Sequence, residues 1–319
     1  MMQYIHNTFD FKIEEDTVIT LGKFDGLHRG HELLMENLLN WREKYHYKAV
    51  VFTFDIPPRQ QVNGVDTRVL TTNEEKRAIF ERSGVDYLIE CPFTPEVMCM
   101  EPKAFIEWMV TALHARCFVI GNDFRFGHNR AGDYKVLRQY AAEFGYEVVV
   151  LDKIQEDGRD ISSTYIREEL KKGNMEKIQD LLGRPFCVSG RIEHGRGLGH
   201  RDFFPTTNII PPKSKLMPPN GVYVTMSHFE DGDYPGITNV GYKPTVGESF
   251  LGVETNLFDC DLDLYGRECT VDFYKFTRPE QKFTSFEALK AQIRKDIQSG
   301  KEYFQNENIL QKTLRFESK

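Results

Sequence analysis

Through its first half the chain alternates short apolar runs with stretches whose hydrophobic positions recur every three or four residues. TVITLG (17–22), KAVVFTF (48–54), VDYLIE (85–90), RCFVIG (116–121) and YEVVVLD (146–152) are rich in β-branched or aromatic residues, and they predict five strands. Helices fill the gaps. After Gly30, residues Leu33, Leu34, Asn37, Leu38 and Trp41 keep a helical spacing. Thr72 and Glu75 form a capping box for a helix that stops at Gly84. Pro102 suits the first turn of a helix running to about His114, and a further helix covers 133–144. Strand–helix repetition of this kind predicts a parallel, doubly wound sheet, in which ligands sit beyond the carboxyl ends of the strands. GKFDGLHRGH follows the first strand, GNDFRFG (121–127) the fourth, and ISSTYIR (161–167) lies beyond the fifth.

After a short helical pair (164–182) the pattern changes at GRPFCVSGR. GVYVTMSHF and YPGITNV flank EDGD, a hairpin signal, and ETNLFD and ECTVDFYKF flank a turn around LYGR. A last helix is predicted to begin at Thr284, with Glu287 completing a capping box and Phe283 stapled onto Ala288. These elements predict a small antiparallel β-barrel closed by a C-terminal helix. A length of 319 residues also favours two cores, so the predicted domains are 1–182 and 183–319.

Composition narrows the function classes. An apolar fraction of 40% and a charged fraction of 28% are ordinary for a soluble protein. A net charge of −7 with no long basic run argues against a dedicated nucleic-acid binder, while helix ends and glycine turns still accept small anions. Six cysteines (91, 99, 117, 187, 260, 269) form no CxxC pair, which predicts neither a zinc site nor a disulfide framework. MMQYIHNTFDFKIEED lacks the apolar core of a signal peptide, and no apolar run reaches membrane-spanning length. The expectation is a reduced, cytoplasmic protein without nucleic-acid or membrane partners.

The densest chemistry lies in GKFDGLHRGH. Gly22 and Gly26 let the backbone turn sharply and approach a ligand, and Gly30 leaves room at a helix start. Amides at that start favour anions. His28 and His31, three apart, share one helical face, where both could donate hydrogen bonds to phosphate oxygens. Two such histidines alone would ordinarily be solvated polar residues; the strand–glycine turn–helix setting favours phosphate. No P-loop signature is present.

GKFDGLHRGH resembles the HxGH motif of the nucleotidyltransferase superfamily, in the F-D-G form of bacterial FAD synthetases. LTTNEEKRAIFERSGVDYLIECPF, IGNDFRFG and ISSTYIR are similar to further segments of that family. GRPFCVSGRIEHG, PTTN (205–208), NGVY, GITNVGYKPT, VETNLFDCDLDLYG and FTRPEQKF (276–283) resemble riboflavin kinase. Their order is that of the bifunctional riboflavin kinase/FAD synthetase family.

The resemblance implies two ATP-dependent reactions, riboflavin to FMN and FMN to FAD, with ATP as co-substrate and Mg²⁺ as cofactor. It implies that Gly22, Phe24, Asp25, Gly26, Gly30, His28 and His31 line the ATP site and that Asp123 lies on the nucleotide or flavin side. Ser163, Thr164 and Arg167 would hold the phosphates that leave as pyrophosphate. In the second half, Thr206 and Asn208 would be the metal site, hard oxygen ligands of the kind Mg²⁺ takes. Glu254, on one strand face with Asn256, would be the general base for the ribityl hydroxyl. Arg278 would lie near the flavin; its ordinary alternative is a surface pair with Glu280 or Glu254.

Two segments depart from the family's pattern. Ile56-Pro57-Pro58 stands where the family has Pro-His-Pro, and in GHRDFFPTTN Phe203 replaces a glycine and His200 an arginine. The alternatives are a chain keeping one activity, FAD synthesis, or a non-catalytic flavin-binding regulator.

Overall fold

The five apolar runs of the first half form strands, and a sixth strand that the sequence pattern does not signal joins them. The structure, a computed structural model, describes residues 1–55, 68–193, 206–244, 249–260 and 262–306. Two compact units divide the chain inside its sixth helix, at Met1–Tyr165 and Ile166–Lys319.

The first unit runs β1 (Gln3–His6), β2 (Thr17–Leu21), α1 (Arg29–Tyr45), β3 (Lys48–Asp55), α2 (Asn73–Ser83), β4 (Tyr87–Pro92), α3 (Pro95–Met98), α4 (Pro102–Leu113), β5 (Ala115–Gly121), α5 (Tyr134–Phe144) and β6 (Glu147–Leu151). A two-stranded hairpin, β7 (Gln155–Glu156) and β8 (Arg159–Asp160), leads into α6 (Ser163–Lys172). The six long strands pair in parallel in the order β1-β4-β3-β2-β5-β6. Alternate strand residues feed two cores. Val18, Val51 and Leu88 pack with Met35, Leu38 and Phe80 of α1 and α2. Ile19, Phe52 and Ile89 pack with Phe105, Met109 and Leu137 of α4 and α5. Helices thus cover both faces, as the doubly wound reading requires.

The predicted stops and starts are physical. Thr72 Oγ1 accepts from Glu75 N at 3.2 Å while Thr72 N donates to Glu75 Oε2 at 2.9 Å, and Gly84 ends α2 at φ +88°. A cap of this kind is worth about 1 kcal/mol. β1 was invisible because QYIH is a half-exposed edge strand without regular alternation.

The second unit holds α7 (Met175–Leu182), β9 (Phe186–Arg191), β10 (Thr206–Ile209), β11 (Gly221–Phe229), β12 (Gly232–Pro244), β13 (Ser249–Leu257), β14 (Glu268–Pro279) and α8 (Phe286–Asn306). Its strands pair antiparallel in the order β10-β13-β12-β11-β14-β9. Just past β9, Glu193 N donates to Asn208 O at 2.8 Å and brings the two sheet edges together. Inside, Tyr223, Phe186 and Phe273 pack edge to face, and the buried hydroxyls of Thr225, Thr238 and Thr255 bond in series at 2.8 and 2.7 Å. On the opposite face Val222, Val224, Met226 and Ile237 pack with Phe304 of α8.

The start of α8 corrects one expectation. Ser285, not Thr284, is its cap: Ser285 Oγ accepts from Ala288 N at 3.1 Å, which leaves no box between Thr284 and Glu287. Adjacent hydroxyls offer two registers, and the sequence pattern does not rank them.

His228, near the end of β11, sits between two carboxylates. Its Nδ1 lies 2.7 Å from Asp233 Oδ1 on β12 and its Nε2 lies 3.1 Å from Asp272 Oδ2 on β14. Burial alone would lower the pKa, but the hydrogen bonds and charges of Asp272 and Asp233 outweigh it and raise the value to about 9. An imidazolium therefore ties three strands together. Its stabilisation is complete below the unfolded value near 6.5 and is lost as pH rises through about 9. Replacing His228 with Asn should lower stability by about 1–3 kcal/mol at pH 6, and the deficit should shrink by pH 9.5. Urea unfolding of both proteins at the two pH values checks this; an unchanged deficit would contradict the charged clamp.

Candidate functional site

Strand β2 is the point where the first sheet reverses: the chain moves to β3 on one side, and β5 lies on the other. A crevice opens between the carboxyl ends of such strands. It is a cavity of about 730 Å³, lined among others by Gly22, Phe24, His28, Gly30 and His31 after β2, by Gly121 at the end of β5 and Asp123 beyond it, and by Ser163 and Thr164 at the start of α6. Three segments far apart in sequence, around residues 22–31, 121–123 and 163–164, thus share one cavity.

The turn after β2 is strained. Phe24 and Leu27 adopt φ of +50° and +47°, and Gly26 adopts φ +90°. Left-handed backbone at a bulky residue costs on the order of 1 kcal/mol and persists where its surroundings enforce it. Here Phe24 is fully buried, its ring 5.5 Å from that of Phe80 and 5.2 Å from that of His31. A Cβ on Gly22 would meet the Phe24 ring at 3.1 Å, and one on Gly30 would meet the His28 ring at 3.1 Å. The glycines are therefore the room that Phe24 and His28 occupy.

His28 is the N-cap of α1, without a capping bond from its side chain. Its ring stacks on that of His31 with centroids 3.8 Å apart and planes inclined by 22°. Among the described residues, the buried Nδ1 atom of each has no hydrogen-bond partner. Burial lowers the His28 pKa to about 4; the carboxylates of Asp25 and Asp123 oppose that shift and Lys153 adds to it. Burial, with the neighbouring His28, also holds His31 well below the usual histidine value. Both imidazoles are neutral near pH 7, so they supply hydrogen bonds and not charge.

Other predicted residues take different places. Asp25 does not line the cavity: its Oδ1 accepts from Leu70 N at 2.7 Å and its carbonyl accepts from Ser163 Oγ at 2.7 Å. Gly26 supplies the turn. Ser162 Oγ accepts from Tyr165 N at 3.3 Å, so Ser162 is the hydroxyl that caps the first turn of α6. Thr164 is exposed at the same helix start, and Arg167, half-buried, is one turn further along α6. Lys153 bridges Asp123 at 3.0 Å and Asp160 at 3.5 Å.

Sequence reasoning missed Lys153, and it missed an aromatic wall. Phe52, Phe54, Phe93, Phe105, Phe124 and Phe126 line the cavity, with Phe54 and Phe93 centroids 5.0 Å apart and Phe124 stacked on Phe126 at 5.6 Å. The signal was the F-x-F alternation in FTF and FRF, which puts two rings on one side of an extended segment.

In the second unit the predicted residues meet across strands. Asn208 on β10 lies opposite Glu254 on β13, and Glu254 lies opposite Asn239 on β12. Thr206 Oγ1 donates to Glu254 Oε1 at 3.0 Å. Asn256, two residues on from Glu254, is buried on the same face. Among the described residues no group of three or more His, Cys, Asp or Glu could hold a metal ion. Thr206 and Asn208 instead offer a sparse pair of hard oxygens, which fits an Mg²⁺ that keeps water and nucleotide phosphates as its other ligands. Arg278 is engaged elsewhere: its Nε and Nη2 bond the buried Asp296 of α8 at 3.0 and 2.6 Å, so its ion partner is neither Glu280 nor Glu254. Glu280 accepts from Asn220 at 3.1 Å and from Asn239 at 3.5 Å. Pro57, Phe203 and His200 lie outside the described residues.

Comparison with known proteins places the chain in a family. The FAD synthetase family matches residues 10–165 and the riboflavin kinase family residues 182–304. The bifunctional riboflavin kinase/FMN adenylyltransferase of Escherichia coli strain K12 is 34% identical over 308 residues, covering 95% of this chain and 97% of that protein. The chain belongs to this bifunctional family.

The same-named protein of Haemophilus influenzae is 32% identical, over 95% of this chain and 99% of its own length. A crystal structure named as a macrolide-efflux protein from Streptococcus pneumoniae aligns with TM-score 0.82 at 28% identity, covering 92% of this chain and 97% of that one. Among the described residues no helix is long and apolar enough to cross a membrane. The riboflavin kinase/FMN adenylyltransferase family assignment brings both activities: phosphorylation of riboflavin to FMN and adenylylation of FMN to FAD, with ATP as co-substrate.

In the free enzyme the depressed histidine values have a consequence. Between the unfolded value near 6.5 and about 4 the unfolded chain binds a proton that native His28 refuses, so stability is lost as pH falls through that window. The His28 imidazole resonance should titrate with a midpoint near 4, and FAD formation should show no acid limb near 6.5 from this pair. An NMR titration placing His28 above 6 would contradict the buried, neutral stack.

Proposed function

We propose that the first-unit cavity is the adenylylation site and that the β10–β13–β12 face is the kinase site. The observation that carries the first assignment is the His28–His31 stack at the helix start, in one cavity with Ser163 and Thr164. Neutral imidazoles and helix amides suit phosphate oxygens, and the phenylalanine wall suits a flat isoalloxazine ring. A phosphate oxygen of FMN attacks the α-phosphorus of ATP, the bond from that phosphorus to the bridging oxygen breaks, and pyrophosphate leaves with the electron pair. No protein nucleophile is needed; His28 and His31 align and hydrogen-bond the transferring group, and Thr164 and Arg167 hold the leaving phosphates. Asp25 and Ser163 keep the glycine turn and α6 together.

At the second site the ribityl 5′-hydroxyl gives its proton to Glu254 as its oxygen attacks the γ-phosphorus of ATP and ADP leaves. Thr206, donating to Glu254, holds that carboxylate in place. Mg²⁺, held by Thr206 and Asn208, would neutralise charge on the nucleotide phosphates. Arg278 positions α8 against β14 through Asp296, and the flavin contact proposed for it is one its remaining surface would make.

One experiment with two variants tests both placements. His31→Ala should cut FAD formation from FMN by about 10²-fold or more and spare FMN formation. Glu254→Gln keeps size and hydrogen bonding, and should cut riboflavin phosphorylation by about 10²–10⁴-fold while sparing adenylylation. Each half-reaction is the folding control for the other. Near wild-type FAD formation by His31→Ala would move the first site, and normal phosphorylation by Glu254→Gln would remove that carboxylate from the mechanism.

A further inference from the structure

We propose that Lys153 is a further catalytic residue of adenylyl transfer, its ammonium held in the cavity by Asp123 and Asp160 to bind the pyrophosphate that leaves ATP. The inference rests on the reading of the first-unit cavity as the adenylylation site.

Beside the two histidines the transfer site has a deficit of charge. The reaction moves an electron pair onto the bridging oxygen of a polyanion, and both histidines beside it are neutral by burial. Hydrogen bonds from neutral donors are weaker than charge-assisted ones by about a factor of two. A cation fixed beside the stack would supply the missing part. Lys23, Lys153, Arg125 and Arg130 line the cavity. Lys153 acts electrostatically on His28, together with Asp123. It follows β6, between the hairpin β7–β8 and the end of β5, and Thr164 at the start of α6 lines the same cavity.

Geometry also fixes the ammonium. Two carboxylates from different segments hold Nζ at 3.0 and 3.5 Å, and the Lys153 side chain is 34% exposed. The Asp123 carboxylate keeps it charged, above the usual lysine value. Asp123 and Asp160 are themselves 64% and 44% exposed, so either carboxylate can turn toward water when a polyphosphate enters. The hairpin is braced in turn, since Arg29, the first residue of α1, bonds Glu156 at 2.6 Å. The lysine is therefore preorganised, and its cost in side-chain entropy is met before substrate binds. Transfer proceeds as above: the FMN oxygen–phosphorus bond forms, the bond to the bridging oxygen breaks, and Lys153 hydrogen-bonds the released pyrophosphate without giving up its proton.

The test uses the full chain as Lys153→Met and Lys153→Arg, with His31→Ala as reference. Lys153→Met should lower kcat for FAD formation by about 10–10²-fold and weaken inorganic pyrophosphate binding, read by calorimetry, by about tenfold. Lys153→Arg should recover most of both, and riboflavin phosphorylation should stay unchanged. If Lys153→Met keeps kcat and pyrophosphate affinity within twofold while His31→Ala is impaired, the lysine is excluded and the cavity reading stands. If neither variant is impaired, the cavity reading itself falls. A loss in Lys153→Met that arginine does not rescue, with a matching drop in thermal stability, would make Lys153 a brace for Asp123 and overturn the proposal.

Discussion

Strands β2 and β5 lie side by side in a parallel sheet, yet the chain leaves their neighbourhood in opposite directions, and that reversal is what the proposed adenylylation site depends on. No helix can cover the gap between connections that diverge, so the carboxyl ends of these two strands stay open. The glycine turn with its histidines, the GNDFRFG loop and, beyond β6, the start of α6 reach into that opening, and phenylalanines of β3, α4 and the segment after β4 wall it. Packing then tunes the chemistry. Phe24, buried beneath Gly22, forces the backbone left-handed and sets His31 against its ring, and Gly30 leaves the space in which His28 stacks. The same burial that orders the pair strips it of charge. In the proposed adenylylation site, a neutral donor pair and a held cation are complementary parts.

The second unit solves a similar problem with a different constraint. In an antiparallel sheet, residues directly opposite each other share a face, so register alone assembles Asn208, Glu254 and Asn239 from three strands. The carboxylate is then fixed by the Thr206 hydroxyl. Behind it, α8 is tied to β14 by the pairing of Arg278 with a buried aspartate, and a tether of that kind is strongly destabilising to break from one side. His228 adds a charged tie among β11, β12 and β14.

Much of this was legible in the sequence, because strands, helix caps and turn glycines are local signals. Thr72, Glu75 and Gly84 behave as their pattern says, and so does the hairpin over EDGD. GKFDGLHRGH and ISSTYIR point to the phosphate site proposed above through residue types whose chemistry depends on neighbours a few positions away. What stayed hidden depends on distant pairing. Asp25 looks like part of a ligand motif, but its oxygens bind Leu70 and Ser163. The partner of Arg278 sits 18 residues on, on a separate helix. Lys153 carries no motif, and its place follows only once β5, β6 and the hairpin are assembled. β1 is an edge strand whose sequence has no periodicity to read.

With the two sites placed as proposed, one chain performs two successive reactions at independent centres. Mixing the His31→Ala and Glu254→Gln proteins tests it most directly, with riboflavin, ATP and Mg²⁺ supplied and products separated by chromatography. Each variant alone should form almost no FAD from riboflavin: the first should accumulate FMN and the second should leave riboflavin unreacted. Together they should make FAD, because FMN formed by one can be adenylylated by the other. A mixture that accumulates FMN without FAD, or a single variant that completes both steps, would contradict the assignment.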